Sequence, residues 1–257
     1  MVRGIDGFRA WFKGYEDQYT IIGGTACDLL MENAGLDFRA TKDIDLVLIV
    51  EMLDDNFVKK LLEYIKEAGY EHKRKGGKEQ QFYRFSKPKS NEYPYMIELF
   101  SRNTKAVKLP EDATLTPLPI DEDVSSLSAI LLNDDYYEFL KNGKVQLNGI
   151  TILDAPFIIP FKAKAWLDLS SRKETGEAID EKNIRKHKND VFRLYELLNI
   201  NNPISPKFIT NSIKEDMKMF IFKMEVEDVD LKQLNIISVT KEEILNNLKI
   251  FYSLLSQ

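Results

Sequence analysis

Asp43-Ile44-Asp45 runs directly into Leu46-Val47-Leu48-Ile49-Val50, and no other stretch constrains the fold as tightly. Alternation gives way to a continuous apolar run, the pattern of a strand buried on both faces. Residues two apart on a strand share a face, so the two carboxylates point together while Ile44 enters the core. Such a strand belongs at the centre of a sheet, with its acids at the rim. Two like charges that close repel strongly unless a cation lies between them. A divalent ion is the natural occupant, because Mg²⁺ takes one or two carboxylates together with substrate phosphates.

The flanking segments complete the pattern. A short β-type run at 19–22 stops at Gly23-Gly24, and 25–33 then reads as a helix with Ala26, Leu29 and Leu30 on one side. Glycines let a backbone approach a phosphate closely, and a helix start offers free N–H groups and partial positive charge. The Thr25 hydroxyl is placed either to cap this helix or to touch a phosphate oxygen. Asp54 or Asp55 can cap the next helix, where Phe57, Val58, Leu61, Leu62, Ile65 and Ala68 follow helical spacing up to Gly69. Strands are expected at 81–85 and 95–100. The second holds Glu98 inside an otherwise apolar run, and an acid there needs a metal, a cation or water. Glu98 is therefore the candidate third carboxylate of a metal site built on Asp43 and Asp45.

Beyond residue 103 the character changes. A loop is expected at 103–123, a short helix at 134–141 and a strand at 145–153. Helices are then expected at 161–169, 181–198, 206–224 and 240–255. Thr240 with Glu243 three residues on is a capping box. The expected organisation is α+β: a mixed sheet flanked by helices over residues 1–120, and a mostly helical domain over 121–257. Of the 257 residues, 36 are Lys or Arg and 41 are Asp or Glu, a net charge of −5. That balance argues against a dedicated nucleic-acid clamp, which neutralises phosphates with basic side chains. The single cysteine allows no internal disulfide. The first nineteen residues lack the apolar segment of a secretory leader, and no run is long enough to span a membrane. A soluble, cytoplasmic protein is expected.

Gly23-Gly24-Thr25 followed by Arg39-Ala40-Thr41-Lys42-Asp43-Ile44-Asp45-Leu46 resembles the G-G-T and R-x-[ST]-x-D-[IL]-D-L signatures of the AbiEii-type nucleotidyltransferases, within the polymerase-β-like superfamily. The resemblance extends to Lys162 and Lys164 in Phe161–Trp166 and to Lys186-His187-Lys188-Asn189-Asp190, though His187 stands where many relatives carry Asp. It implies a nucleotidyltransferase fold and use of an NTP with Mg²⁺ or Mn²⁺. It further implies transfer to an acceptor such as a tRNA end or a protein hydroxyl, and frequent service as the toxin of a toxin–antitoxin pair, with an antitoxin as partner. The same fold also serves small-molecule transferases acting on antibiotics and proteins that bind nucleotides without turnover. For the first of these, Asp121-Glu122-Asp123 is the nearby acidic run. On this resemblance Asp43, Asp45 and Glu98 hold metal, while Gly23, Gly24, Thr25, Arg39, Lys164 and Lys186 contact the nucleotide.

Plainer roles compete at several of these positions. Arg39 is placed either to bind phosphate or to pair with Asp37 or Glu32. Lysines on helices usually lie on a solvated face. Asp190 and Arg193, three apart, form a structural ion pair in the simplest account. The run His72-Lys73-Arg74-Lys75 with Lys78 is either an RNA-end contact or a solvated hairpin. Cys27 fits a small buried position, and the aromatics Phe220, Phe222, Phe251 and Tyr252 fit a helix-bundle core.

Overall fold

The computed structural model describes residues 2–71, 82–101, 127, 130–131 and 133–255. The basic run at 72–78, the loop at 103–123 and Asp121-Glu122-Asp123 lie outside these residues. The chain forms two compact units, Met1–Ile120 with Lys144–Asp154, and Asp121–Gly143 with Ala155–Gln257.

The first unit is an α+β layer structure. Its described elements are α1 (Ile5–Trp11), β1 (Tyr19–Ile22), α2 (Gly23–Asn33), β2 (Asp43–Leu48), α3 (Asp55–Ala68), β3 (Phe82–Ser86) and β4 (Met96–Phe100), with β5 (Lys144–Leu147) and β6 (Ile150–Leu153). Six strands among the described residues form one mixed sheet in the order β3-β4-β2-β1-β6-β5. β2 is central, antiparallel to β1 and parallel to β4, as its apolar run requires. Ile44, Leu46, Val47 and Leu48 are buried while Asp43 and Asp45 stay partly accessible. Asp54 caps α3 by accepting from the Phe57 N–H at 2.7 Å, and Gly69 ends it in the left-handed region at φ 62°.

An aromatic core joins α1, β1 and α3. Phe8 of α1, Phe12 at its C-cap, Tyr19 of β1, and Phe57 and Tyr64 of α3 are all buried, and neighbouring ring centroids lie 4.6–6.3 Å apart. α1 was not among the expected helices, although Ile5, Phe8 and Phe12 already carry its spacing.

Residues 145–153, expected as one strand of the second domain, are a hairpin of the first unit's sheet. Asn148 and Gly149 both adopt positive φ, 50° and 78°, the mark of a two-residue type I′ turn. β6 then pairs in parallel with β1. The chain thus leaves the sheet, forms the helix at 134–142, and returns to add two strands.

The second unit is helical: α4 (Asp134–Asn142), α5 (Ala155–Glu174), α6 (Glu181–Tyr195), a 3₁₀ turn (Pro206–Phe208), α7 (Asn211–Val226) and α8 (Lys241–Phe251). The capping box at Thr240 and Glu243 forms in both directions. The helix expected at 206–224 is two elements, because Thr210 caps a fresh start at Asn211 by accepting from the Ile213 N–H. Among the described residues no helix is long and apolar enough to cross a membrane.

α5 begins six residues earlier than expected and runs through Pro160. Proline lacks the N–H that would bond the carbonyl four residues back, here that of Pro156. The buried Tyr252 hydroxyl donates to the Pro156 carbonyl at 2.7 Å instead. Tyr252→Phe should therefore leave a part-buried carbonyl without this donor and cost about 1 kcal/mol, read as a fall in the urea midpoint. In a Pro160→Ala background the new N–H can serve Pro156, so the same change should cost less. An equal cost in both backgrounds would refute the substitution of one donor for the other.

Candidate functional site

The acids are assembled by strand register. Asp45 of β2 lies opposite Ile22 of β1 on one side and Glu98 of β4 on the other, and Glu98 lies opposite Arg84 of β3. One row across the sheet thus reads Ile22, Asp45, Glu98, Arg84. Glu98 is only 6% exposed. Its Oε1 accepts from Arg84 Nε at 2.7 Å and lies 2.5 Å from Arg84 Nη2. Glu98 also shares a hydrogen bond with the Asp45 carboxylate. Burial first, and the charge of Asp45 next, push the Glu98 carboxyl up to about 9, while Arg84 pulls it down. Burial and the Asp45 charge thus both favour the protonated form of the Glu98 carboxyl.

The glycine turn packs against these acids. Gly23 has φ +69°, and a side chain there would overlap Asp45 Oδ2; only glycine admits both the conformation and the approach. A Cβ on Gly24 would meet Thr41 Oγ1 at 2.8 Å and Arg39 Nη2 at 3.4 Å. So Gly23, Gly24, Arg39, Thr41 and Asp45 converge on one rim of the sheet. α2 begins at Gly23 itself, and no side chain caps it. Arg39 also stacks over the neighbouring Phe38 ring at 5.2 Å. It lies near Asp28, one turn into α2, whose carboxyl is raised by burial and lowered by the Arg39 charge.

Two expectations change. Thr25 neither caps α2 nor faces a phosphate: it is fully buried, and its hydroxyl donates to the Asp43 carbonyl at 2.6 Å. It ties the helix start to the first residue of β2. Cys27 assists by donating its thiol to the Gly23 carbonyl at 3.0 Å. Glu98 was expected to complete a three-acid metal site. Instead its side chain is engaged by Arg84 and Asp45, and among the described residues no three His, Cys, Asp or Glu are grouped to hold a metal ion. Asp43 and Asp45 remain a fit for a divalent ion, being oxygen ligands on one face, partly accessible, beside a glycine turn.

The two candidate lysines belong to the second unit. Lys164 Nζ lies 2.7 Å from Asp216, which also accepts from the Tyr136 hydroxyl at 2.9 Å. Lys186 reaches Asn183 Oδ1 at 3.5 Å. Lys162 is buried and pairs with the fully buried Asp190 at 2.9 Å. Asp190 also lies 3.8 Å from Arg193, so the expected ion pair is the weaker part of a Lys162-centred arrangement. Sequence spacing did not single out Arg84, and the family resemblance named Lys162 and Asp190 without pairing them. An Arg–Glu match between strands 81–85 and 95–100 was the available signal, and it needs the register to be read.

The raised Glu98 carboxyl makes a pH prediction. Its folded value lies above its unfolded value of 4.5, so the folded state holds a proton that the unfolded chain has lost at neutral pH. The stability it contributes is complete below about 4.5 and is lost as pH rises toward about 9. Urea midpoints measured in EDTA should fall across this window, and Glu98→Gln should flatten the fall. A slope unchanged in the variant would remove Glu98 as its source.

No family model matches this chain, and no curated protein matches it. Among solved structures the chain is similar to one described as an antigenic nucleotidyltransferase-like protein from Paracoccidioides brasiliensis, at 18% identity. The likeness covers 84% of this chain and 83% of that one, with a TM-score of 0.42.

Proposed function

We propose that the chain is a metal-dependent nucleotidyltransferase of the AbiEii-like type. The observation that carries this is the convergence of the glycine turn on the acid pair: Gly23 against Asp45, and Gly24 against Arg39 and Thr41. A phosphate needs a close backbone, N–H donors and a nearby cation; a metal on that phosphate needs oxygen ligands within a few ångströms. Here both sets of groups lie on one rim.

In this proposal the uncapped start of α2 and the Arg39 guanidinium hold the β- and γ-phosphates of an NTP. Asp43 and Asp45 hold Mg²⁺ or Mn²⁺, which when bound neutralises triphosphate charge and favours the attacking oxygen. Thr25 and Cys27 keep the turn in place. Arg84 keeps Glu98 against Asp45, which restricts Asp45 to orientations facing the turn. An acceptor hydroxyl attacks the α-phosphorus, the bond to the bridging oxygen breaks, and pyrophosphate leaves. Catalysis of this kind is mostly positioning and charge compensation.

The acceptor is proposed to be an RNA 3′ end, with a protein hydroxyl as the other macromolecular class, and a toxin role paired with an antitoxin follows from the family resemblance. Lys164 and Lys186 remain proposed nucleotide contacts, Lys164 requiring release from Asp216.

Incubation with each labelled NTP, Mg²⁺, bulk tRNA and cell extract should move label into RNA or protein. Asp45→Asn should lower transfer by at least about 10²-fold, the scale of losing one charge-stabilising group. Gly24→Val should raise KM for the NTP by crowding Thr41 and Arg39. Mg²⁺ should raise the thermal midpoint of the wild type and not of Asp43→Asn or Asp45→Asn. Absence of label from every nucleotide would end the transferase proposal, and Mg²⁺ stabilisation that persists in both variants would move the metal elsewhere.

A further inference from the structure

α7 is apolar on two sides. Ile213, Met217, Phe220, Ile221 and Met224 are buried in the second unit. Met219, Phe222 and Val226 point the other way and are 49%, 68% and 89% exposed. Phe222, expected in the bundle core with Phe220, lies on this outer stripe. The spacing of three and then four residues is that of a heptad seam, the pattern by which one helix packs lengthwise on another. Single exposed apolar residues are ordinary, but an ordered stripe over two turns marks a contact surface.

We infer that this stripe is a homodimer seam, in which α7 pairs antiparallel with α7 of a second copy. The charge pattern suits that occupant and sets the polarity of the pairing. Lys218 precedes Met219 and Glu225 precedes Val226 by one residue each, so these two exposed side chains lie seven apart along the same edge of the seam. In antiparallel pairing, with Met219 of one copy layered on Phe222 of the other, positions on the same edge meet across the interface. Lys218 then faces the partner subunit's Glu225, and two-fold symmetry makes the contact twice. Parallel pairing instead sets Lys218 against Lys223 of the other helix, a like-charge clash. Lys218 and Glu225 touch Glu215 and Lys249 within the chain at 3.0 and 3.1 Å, so the pairing extends existing charge networks without breaking a buried one. This inference does not depend on the transferase proposal.

Sedimentation equilibrium of the full chain over about 5–200 µM tests it by mass action. The mass should rise from 29.8 kDa toward twice that value. Phe222→Glu and, separately, Val226→Glu should weaken association at least about ten-fold, as loss of a central anchor does, with an unchanged far-UV circular dichroism spectrum. Lys218→Glu should weaken it, and adding Glu225→Lys to the same chain should restore it. A wild type that stays monomeric over the whole range overturns the inference and leaves the stripe to a different protein. A dimer that survives both Phe222→Glu and Val226→Glu places the interface elsewhere, and a charge swap that fails to restore association excludes the antiparallel arrangement.

Discussion

Asp45 and Glu98 occupy the same register row on neighbouring parallel strands, and the first unit is arranged around the repulsion this creates. At an effective dielectric of about 20, two unit charges about 4 Å apart cost about 4 kcal/mol, comparable with a large part of a domain's net stability. Two features meet that cost. Arg84 sits one strand further along the row and binds Glu98 through two nitrogens. Burial and the Asp45 charge raise the Glu98 carboxyl, which favours its neutral form. Beside Asp45 Oδ2 stands Gly23, where a Cβ would overlap the carboxylate. The acid that remains directed outward, toward the glycine turn, is the one a ligand would use.

Much of this was legible in the residues, and the illegible part has one cause. The switch from alternation to a continuous apolar run at Leu46 marks β2 as central, and the acid inside 95–100 marks Glu98 as exceptional. The partner of Glu98 depends on which residue of which strand lies opposite, and register is settled by the whole sheet. For that reason Arg84 stayed hidden and Glu98 was expected to face a metal. Thr25 failed differently. A hydroxyl after two glycines has a strong local role as a cap, but its position on the buried side of α2 gives it the Asp43 carbonyl instead. The hairpin at 144–153 was misplaced because Asn148-Gly149, a strong local turn signal, was passed over in favour of one continuous strand.

In the second unit the same lesson appears at two lysines. Lys162 and Lys164 are two residues apart on α5, about 200° around a helix, so they cannot share a fate. Lys162 turns inward and needs the fully buried Asp190; Lys164 turns outward to Asp216, which also accepts from the Tyr136 hydroxyl. A buried ion pair of this sort contributes little net stability, because desolvation offsets the attraction, yet breaking it by removing one partner is costly. Its effect is to fix how α5 lies on α6. A motif match that pairs a helical lysine with a downstream aspartate is therefore explained here by packing at Lys162 and Asp190, and it leaves Lys164 as the more accessible cation.

The placement of chemistry at one rim follows from topology alone. β1 runs antiparallel to β2, so the end of β1 must lie beside the beginning of β2. The chain leaves β1 at Ile22, opposite Asp45, and starts α2 on the next residue. A helix start without a side-chain cap is thus delivered to the two acids without any loop to carry it there. β4, parallel to β2, brings its own early residues to the same rim, and Glu98 with them. A longer connection after β1 would let the helix start drift from the acids; two glycines keep it against them. The shortness of that connection, more than any single side chain, is what brings a helix start and an acid pair to one rim.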